Sequence, residues 1–292
     1  MRRIIPFGLA LLAAVVLRVL VSAQPPQQGE RPRITGIHHV TLKTSDAAAA
    51  RRFYTGVLGL TNVARPDSNR AVYAVGTGQR LHVESGLAAG EDERLGHLAF
   101  KTPDVPALSA YLTRRGLQVL AANGCTEGAI RVADPDGHTI EFAPAPWPPP
   151  ASTASPSSAM STRLLHAGLI IRDEAAAHGF YRDALGLSEI WRGGRKEGVT
   201  QWVNMRVPDG TDYLEYMLTP AAPDRRQRGV LHHVCLVVPD IQRAWEETAR
   251  RTPEPERAAL SRPNVGVNGR WQLNLYDPDG TRVELMEPFT IR

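Results

Sequence analysis

The chain has 292 residues, 34 basic against 30 acidic, a formal charge of +4 and only two cysteines. That near-balance excludes a strongly basic nucleic-acid-binding protein. Cys125 and Cys235 make no disulfide framework, although an exported chain can pair two cysteines where geometry allows.

Residues 1–23 open with Arg2 and Arg3, continue as an apolar run and end in Val21-Ser22-Ala23, the small residues of a cleavage site. We read them as a signal peptide of a periplasmic or secreted protein. A retained N-terminal anchor is the alternative, because Arg18 interrupts the run. Cleavage removes Arg2, Arg3 and Arg18 and leaves a charge of +1, with no membrane segment expected in the mature chain. Residues 24–292 are enough for two domains of ordinary size.

From there the chain repeats itself. "IHHVTLKTSD", "LGHLAFKTPD", "LLHAGLIIRD" and "LHHVCLVVPD" each place a histidine seven residues before an aspartate: His39 and Asp46, His97 and Asp104, His166 and Asp173, His233 and Asp240. The apolar residues between them predict a buried strand, and the aspartate caps the helix that follows. "AAAARRFYTGVLGL" and "EAAAHGFYRDALGL" are the clearest of these helices, each ended by a glycine. Up to three strands then follow, closing on "RLHVES", "HTIEFAP", "YLEYML" or "RVELMEP". The unit is βαβββ, written four times, which gives an α+β fold. Pro, Ser and Ala at 145–161 form a linker between a first domain at 34–144 and a second at 162–290.

The central residues of the four closing strands are His82, Glu141, Glu215 and Glu284, lying 43, 44, 49 and 51 residues after the module histidines. A lone histidine in an apolar strand is ordinarily a core residue. Four in one register, each answered by a histidine or acid, point to divalent metal binding, because burying so many polar groups without partners is costly. The mixed N/O donor set suits Zn, Ni, Fe, Mn or Co. One set is His166, Glu215, His233 and Glu284. The other is His39, His82, His97 and Glu141, either a second metal site or a group that only packs. His38 and His232 precede register members, so alternation sends them to the opposite face unless a bulge intervenes. Trp202, Asn204 and Arg206 share one strand face, and "RGGRKEG" reads as a solvated hairpin tip. Tyr54 and Tyr181, at matched helix positions, are read as packing against the sheet.

With "HHVTLKTSDAAAARRFYTGVLGL" and "LYDPDGTRVELMEP" in view, the chain resembles the vicinal oxygen chelate superfamily, which unites glyoxalases, bleomycin-resistance proteins and extradiol dioxygenases. The resemblance covers nearly all of the mature chain. It implies two glyoxalase-like domains with curved mixed sheets, one or two divalent ions, and a small substrate with adjacent oxygens. His166, Glu215, His233 and Glu284 resemble the ligand set of glyoxalase I, which implies isomerase or lyase chemistry through an enediolate, with Glu215 or Glu284 as catalytic base. His166, His233 and Glu284 alone resemble the facial set of an Fe(II) or Mn(II) ring-cleaving dioxygenase. A metal-free binding protein is the third alternative. Modules pair either within each half or first with fourth and second with third, and the product is a monomer or homodimer.

Overall fold

A computed structural model of the chain describes residues 30–64, 68–122, 126–145, 159–219 and 221–291. The proposed signal peptide, Cys125 and most of the linker lie outside the described residues. The first module comprises β1 (Gly36–Thr44), α1 (Ala47–Arg51), β2 (Thr61–Asn62), β3 (Arg70–Val75) and β4 (Gln79–Ser85). The second comprises β5 (Leu95–Thr102), α2 (Val105–Arg114), β6 (Leu120–Ala121), β7 (Ile130–Ala133) and β8 (Thr139–Pro144). In the third are β9 (Leu164–Ile171), α3 (Glu174–Ala177), β10 (Ser188–Gly193), β11 (Trp202–Arg206) and β12 (Tyr213–Leu218). After α4 (Arg225–Leu231) come β13 (His233–Val237), α5 (Ile241–Arg251), β14 (Asn264–Val265), β15 (Arg270–Tyr276) and β16 (Arg282–Thr290).

All four module aspartates cap as their positions predict. The Asp46 carboxylate accepts from the backbone N–H groups of Ala48 and Ala49, Asp104 from Ala107, Asp173 from Ala176, and Asp240 from Arg243. Each satisfies donors that a helix N-terminus cannot pair internally. Helices α1 and α3 continue as π-helical turns, Arg52–Val57 and His178–Ala184. Gly59 and Gly186 then turn the chain at φ +71° and +80°.

The strands form two mixed eight-stranded sheets, ordered β2-β3-β4-β1-β5-β8-β7-β6 and β10-β11-β12-β9-β13-β16-β15-β14. The first and second modules meet where β1 runs antiparallel to β5, and the third and fourth where β9 runs antiparallel to β13. Modules therefore pair within each half. The crossed arrangement, which would have grouped His39 and His82 with His233 and Glu284, is not formed. Among the described residues no helix is long and apolar enough to cross a membrane.

One apolar cluster runs through both halves and includes Leu58, Phe100, Leu169 and Leu285. Two matched polar contacts join the halves beside it. Tyr54 donates its hydroxyl to Asp277 Oδ2 at 2.9 Å, and Tyr181 donates to Asp134 Oδ2 at 2.7 Å. Each aspartate opens an Asp-Pro-Asp-Gly turn of the opposite half and also accepts N–H groups of its own turn through Oδ1. The two tyrosines, read from sequence as packing residues, are thus also hydrogen-bonded links between halves.

Candidate metal centres

In the second sheet, the register lines up two adjacent rows across four strands. One row holds Tyr213, His166, Cys235 and Glu284, and the next holds Glu215, Gly168, His233 and Arg282. Residues two apart on a strand share a face, so both rows point to the same side of the sheet. That is how four strands distant in sequence bring His166, His233, Glu215 and Glu284 together.

His166 Nε2 and His233 Nε2 lie 3.1 Å apart. Glu284 Oε2 is 3.3 Å from the first and 3.9 Å from the second. Glu215 Oε2 mirrors it, 3.9 Å from His166 Nε2 and 3.3 Å from His233 Nε2. Donors each about 2.1 Å from a shared ion stand roughly 3 to 4 Å apart, so these spacings fit one divalent cation. The ligand atoms of His166, His233 and Glu284 all lie within 4.8 Å of one another, and Glu215 stands outside that set. Nδ1–H of His233 donates to the Leu231 carbonyl at 2.9 Å, which leaves its Nε2 lone pair facing the centre.

Burial holds His233 well below the usual imidazole range, with Arg282 and His166 adding to the effect, so the ring stays neutral as a ligand must. Burial works the other way on Glu284. Its hydrogen bond with His166 and the charge of Arg282 outweigh that and hold the carboxyl below its ordinary value. Cys235 lies between His166 and Glu284 in the row but belongs to a small apolar cluster with Leu165, Tyr213 and Met286. Burial pushes its thiol well up, with Glu284 and Glu215 adding, so it is held as a thiol rather than a ligating thiolate.

A cavity of about 540 Å³ opens onto the carboxylates. Trp191 and Trp202 line it, with Arg195 beside Trp202, and Gln272, Asn274 and Arg282 also line it. Trp202 thus faces the cleft, Asn204 is buried opposite Glu215, and Arg206 is exposed. Tyr216 packs on the other side of the sheet near Tyr181.

The first sheet repeats the rows with different occupants. His39 stands beside Arg80 and Ala99, with Glu141 beyond, while His82, Thr41 and His97 form the second row. His39, His97 and Glu141 form a second triad whose ligand atoms lie within 4.8 Å of one another. Its imidazoles are closer, Nε2 to Nε2 at 2.7 Å, and Glu141 is further off, 4.0 Å from His39 and 3.7 Å from His97. Thr41 Oγ1 contacts His97 Nε2 at 3.1 Å. His82 is not in this triad: its ring stacks on His39 with centroids 4.1 Å apart.

His38 departs from the alternation. The β1–β5 register slips between Ile37 and His39, and His38 Nδ1 comes to lie 2.7 Å from His39 Nδ1, supporting that ring from behind. His232 does turn away, its Nε2 3.3 Å from Glu93 Oε2 of the first half. Burial lowers His39 far, His82 to about 2 and His97 to about 4, with neighbouring cationic or imidazole groups assisting. Glu141 is pushed up to about 7 by burial, against Thr126, Arg70 and Arg131.

Arg282, Gly168, Thr41 and Asn274 escaped the sequence reading. The two-residue period alone would have placed Arg282 beside Glu284, Gly168 beside His166 and Thr41 beside His39.

Two duplicated sheets, each carrying buried histidines and a glutamate on matched strands, define a class of metal-binding module pairs. A family model described as the Glyoxalase/Bleomycin resistance protein/Dioxygenase superfamily matches residues 36–142 and 163–285, and the chain belongs to that superfamily. Among solved structures, it is similar to the 2,3-dioxygenase LapB from Pseudomonas sp. KL28, at 18% identity and TM-score 0.66, covering 88% of this chain and 93% of that one. Homoprotocatechuate 2,3-dioxygenase from Arthrobacter globiformis matches at 21% identity and TM-score 0.68, covering 88% of this chain and 80% of that one. An extradiol ring-cleaving dioxygenase from B. fuscum matches at 22% identity and TM-score 0.68, covering 88% of this chain and 72% of that one. At these identities the likeness establishes the fold. A search of curated proteins gave no match.

Proposed function

We propose that the second half is the catalytic half, and that the chain is a metal-dependent ring-cleaving dioxygenase of the extradiol type acting on a small aromatic diol. The observation that carries this reading is the triad of His166, His233 and Glu284, whose glutamate lines a cavity walled by Trp191 and Trp202. Two imidazoles and one carboxylate leave coordination positions open on one side, as ring cleavage with oxygen requires. The structural likeness to three dioxygenases, one of them an extradiol ring-cleaving enzyme, supports the same choice. A bound Fe(II) or Mn(II) would supply Lewis acidity and redox capacity. The chain's own residues do the rest: the Leu231 carbonyl fixes the His233 tautomer, and the indoles stack against an aromatic ring. The N-terminal sequence supports a periplasmic or secreted location.

One observation favours a second reading, isomerase or lyase chemistry. Glu215 Oε2 approaches His233 Nε2 as closely as Glu284 Oε2 approaches His166 Nε2, and as a fourth ligand it would leave less room for oxygen. Oxygen electrode traces on Fe(II)- or Mn(II)-loaded protein with catechol separate the two. Ring cleavage gives oxygen uptake and a new visible absorbance, both retained in Glu215→Ala. Turnover of a vicinal dioxygenated substrate without oxygen uptake, abolished in Glu215→Ala, would overturn the dioxygenase reading.

A further inference from the structure

The two Asp-Pro-Asp-Gly turns dock on opposite halves in the same way, yet their surroundings are finished differently. At the second-half turn the Asp279 carboxylate accepts from the hydroxyls of Thr44 and Ser45 at 2.6 and 2.5 Å. Arg94, buried beside it, donates from Nε to the Asp279 carbonyl at 2.6 Å and from Nη1 to the Arg225 carbonyl at 2.7 Å. At the first-half turn Asp136 is held instead by Arg172, through its Nε at 2.7 Å and its backbone N–H at 3.2 Å. Here a cavity of about 260 Å³ stays open between the halves, with Glu93, Asp136, His138, Arg172 and Arg228 among its walls.

This cavity holds more donors than free acceptors. Glu93 Oε1 accepts from the Leu95 N–H at 3.0 Å, and its Oε2 accepts from Arg228 Nη1 at 3.1 Å and lies 3.3 Å from His232 Nε2. Both Asp136 oxygens are taken by Arg172. The guanidinium groups are not used up in return. Among the described residues, neither Nη of Arg172 nor the Nε and Nη2 of Arg228 has an acceptor. The two side chains are 54% and 30% exposed, so an incoming ligand can reach them. Two sets of planar N–H donors facing one space suit an oxyanion. His138 adds a condition. Its Nδ1–H donates to Asp134 Oδ2 at 2.8 Å, which leaves Nε2 of the neutral ring as an acceptor. A doubly charged oxyanion that keeps one O–H meets all three residues.

We propose that the cavity between the halves is a binding site for monohydrogen phosphate, gripped by Arg172 and Arg228 and donating its O–H to His138 Nε2. The site shares no residue with either metal centre. The test is calorimetric titration of the purified full chain at about pH 8 with phosphate, sulfate and methyl phosphate. At that pH all three carry two negative charges, and phosphate alone keeps a proton.

Phosphate is expected to bind at least ten-fold more tightly than the other two anions and to raise the melting temperature. Arg172→Gln and Arg228→Gln are each expected to weaken phosphate binding at least ten-fold. Arg172 is largely exposed, so its variant should melt like the wild type in phosphate-free buffer, which separates lost binding from lost folding. Absence of binding heat with phosphate would overturn the site. Undiminished binding in both variants would also overturn it, by placing the anion elsewhere, a bound metal included. Equal affinity for the three anions would overturn the choice of phosphate and the acceptor role of His138.

Discussion

The two halves are built on one plan and differ at a few positions around the histidines, and those few decide what each site can do. Where the second half has Gly168, the first has Thr41, whose hydroxyl occupies the metal-facing nitrogen of His97. Where the second half has Glu215, the first has His82, stacked on His39 rather than turned toward the triad. Arg282 is answered by Thr139 and Cys235 by Ala99. The same backbone thus carries a cavity-facing centre with two carboxylates in one half and a histidine-rich cluster with one in the other.

The largest effect should come from removing the closing glutamates one at a time. Glu284→Ala is expected to lose the second-half ion and at least about a thousand-fold in turnover, the scale expected when a catalytic metal is lost. Glu141→Ala should leave turnover within a few-fold. Elemental analysis and initial rates on the two variants check this, and equal losses would mean that the halves share one function.

Next in size is an opposed pH response of the two glutamates in metal-free protein. Glu141, raised to about 7 from 4.5, contributes stability below pH 4.5 that is lost as pH rises through 7, about 3 kcal/mol over that window. Glu284, lowered in the fold, contributes stability at neutral pH that is lost on acidification. Denaturant unfolding between pH 4 and 8 should therefore show a decline that Glu141→Gln flattens. A decline unchanged in that variant would place its source elsewhere.

A smaller effect is expected from exchanging the residues beside the histidines. A Cβ on Gly168 would come within 2.0 Å of the His233 ring, so Gly168→Ala must displace that ring. Metal affinity should fall about ten- to a hundred-fold, the range seen when a ligand's support is disturbed. Thr41→Gly in the first half should do the reverse by freeing His97 Nε2. Competition titrations with a chromophoric chelator measure both.

The smallest effects concern the links between halves. Tyr54→Phe leaves the buried Asp277 side chain without that donor, and about 2 kcal/mol of stability should be lost. Tyr181→Phe should cost about 1 kcal/mol, because Asp134 keeps a 2.8 Å hydrogen bond with His138. Thermal or denaturant melts of the two variants test the order.

Much of this was legible before any coordinates. The four βαβββ units, the capping aspartates and the histidine and glutamate positions could all be read along the chain. The alternation also placed His232 away from the centres. It failed at His38, where the strand register slips, and it passed over Arg282, which looked like one more charge in a strand.

What the sequence determined by itself is the module, its count and its candidate ligands, because capping, turn chemistry and strand alternation act between residues close along the chain. Which modules pair, which ligands meet and what stands beside them were decided only in the tertiary structure. His166 and His233 are 67 residues apart, and their meeting depends on the β9–β13 register. Register of the same kind sets the Thr41 hydroxyl against His97, through β1–β5, and the Arg282 guanidinium against His233, through β13–β16. No local pattern encodes it, because cross-strand neighbours are chosen by the packing of whole sheets.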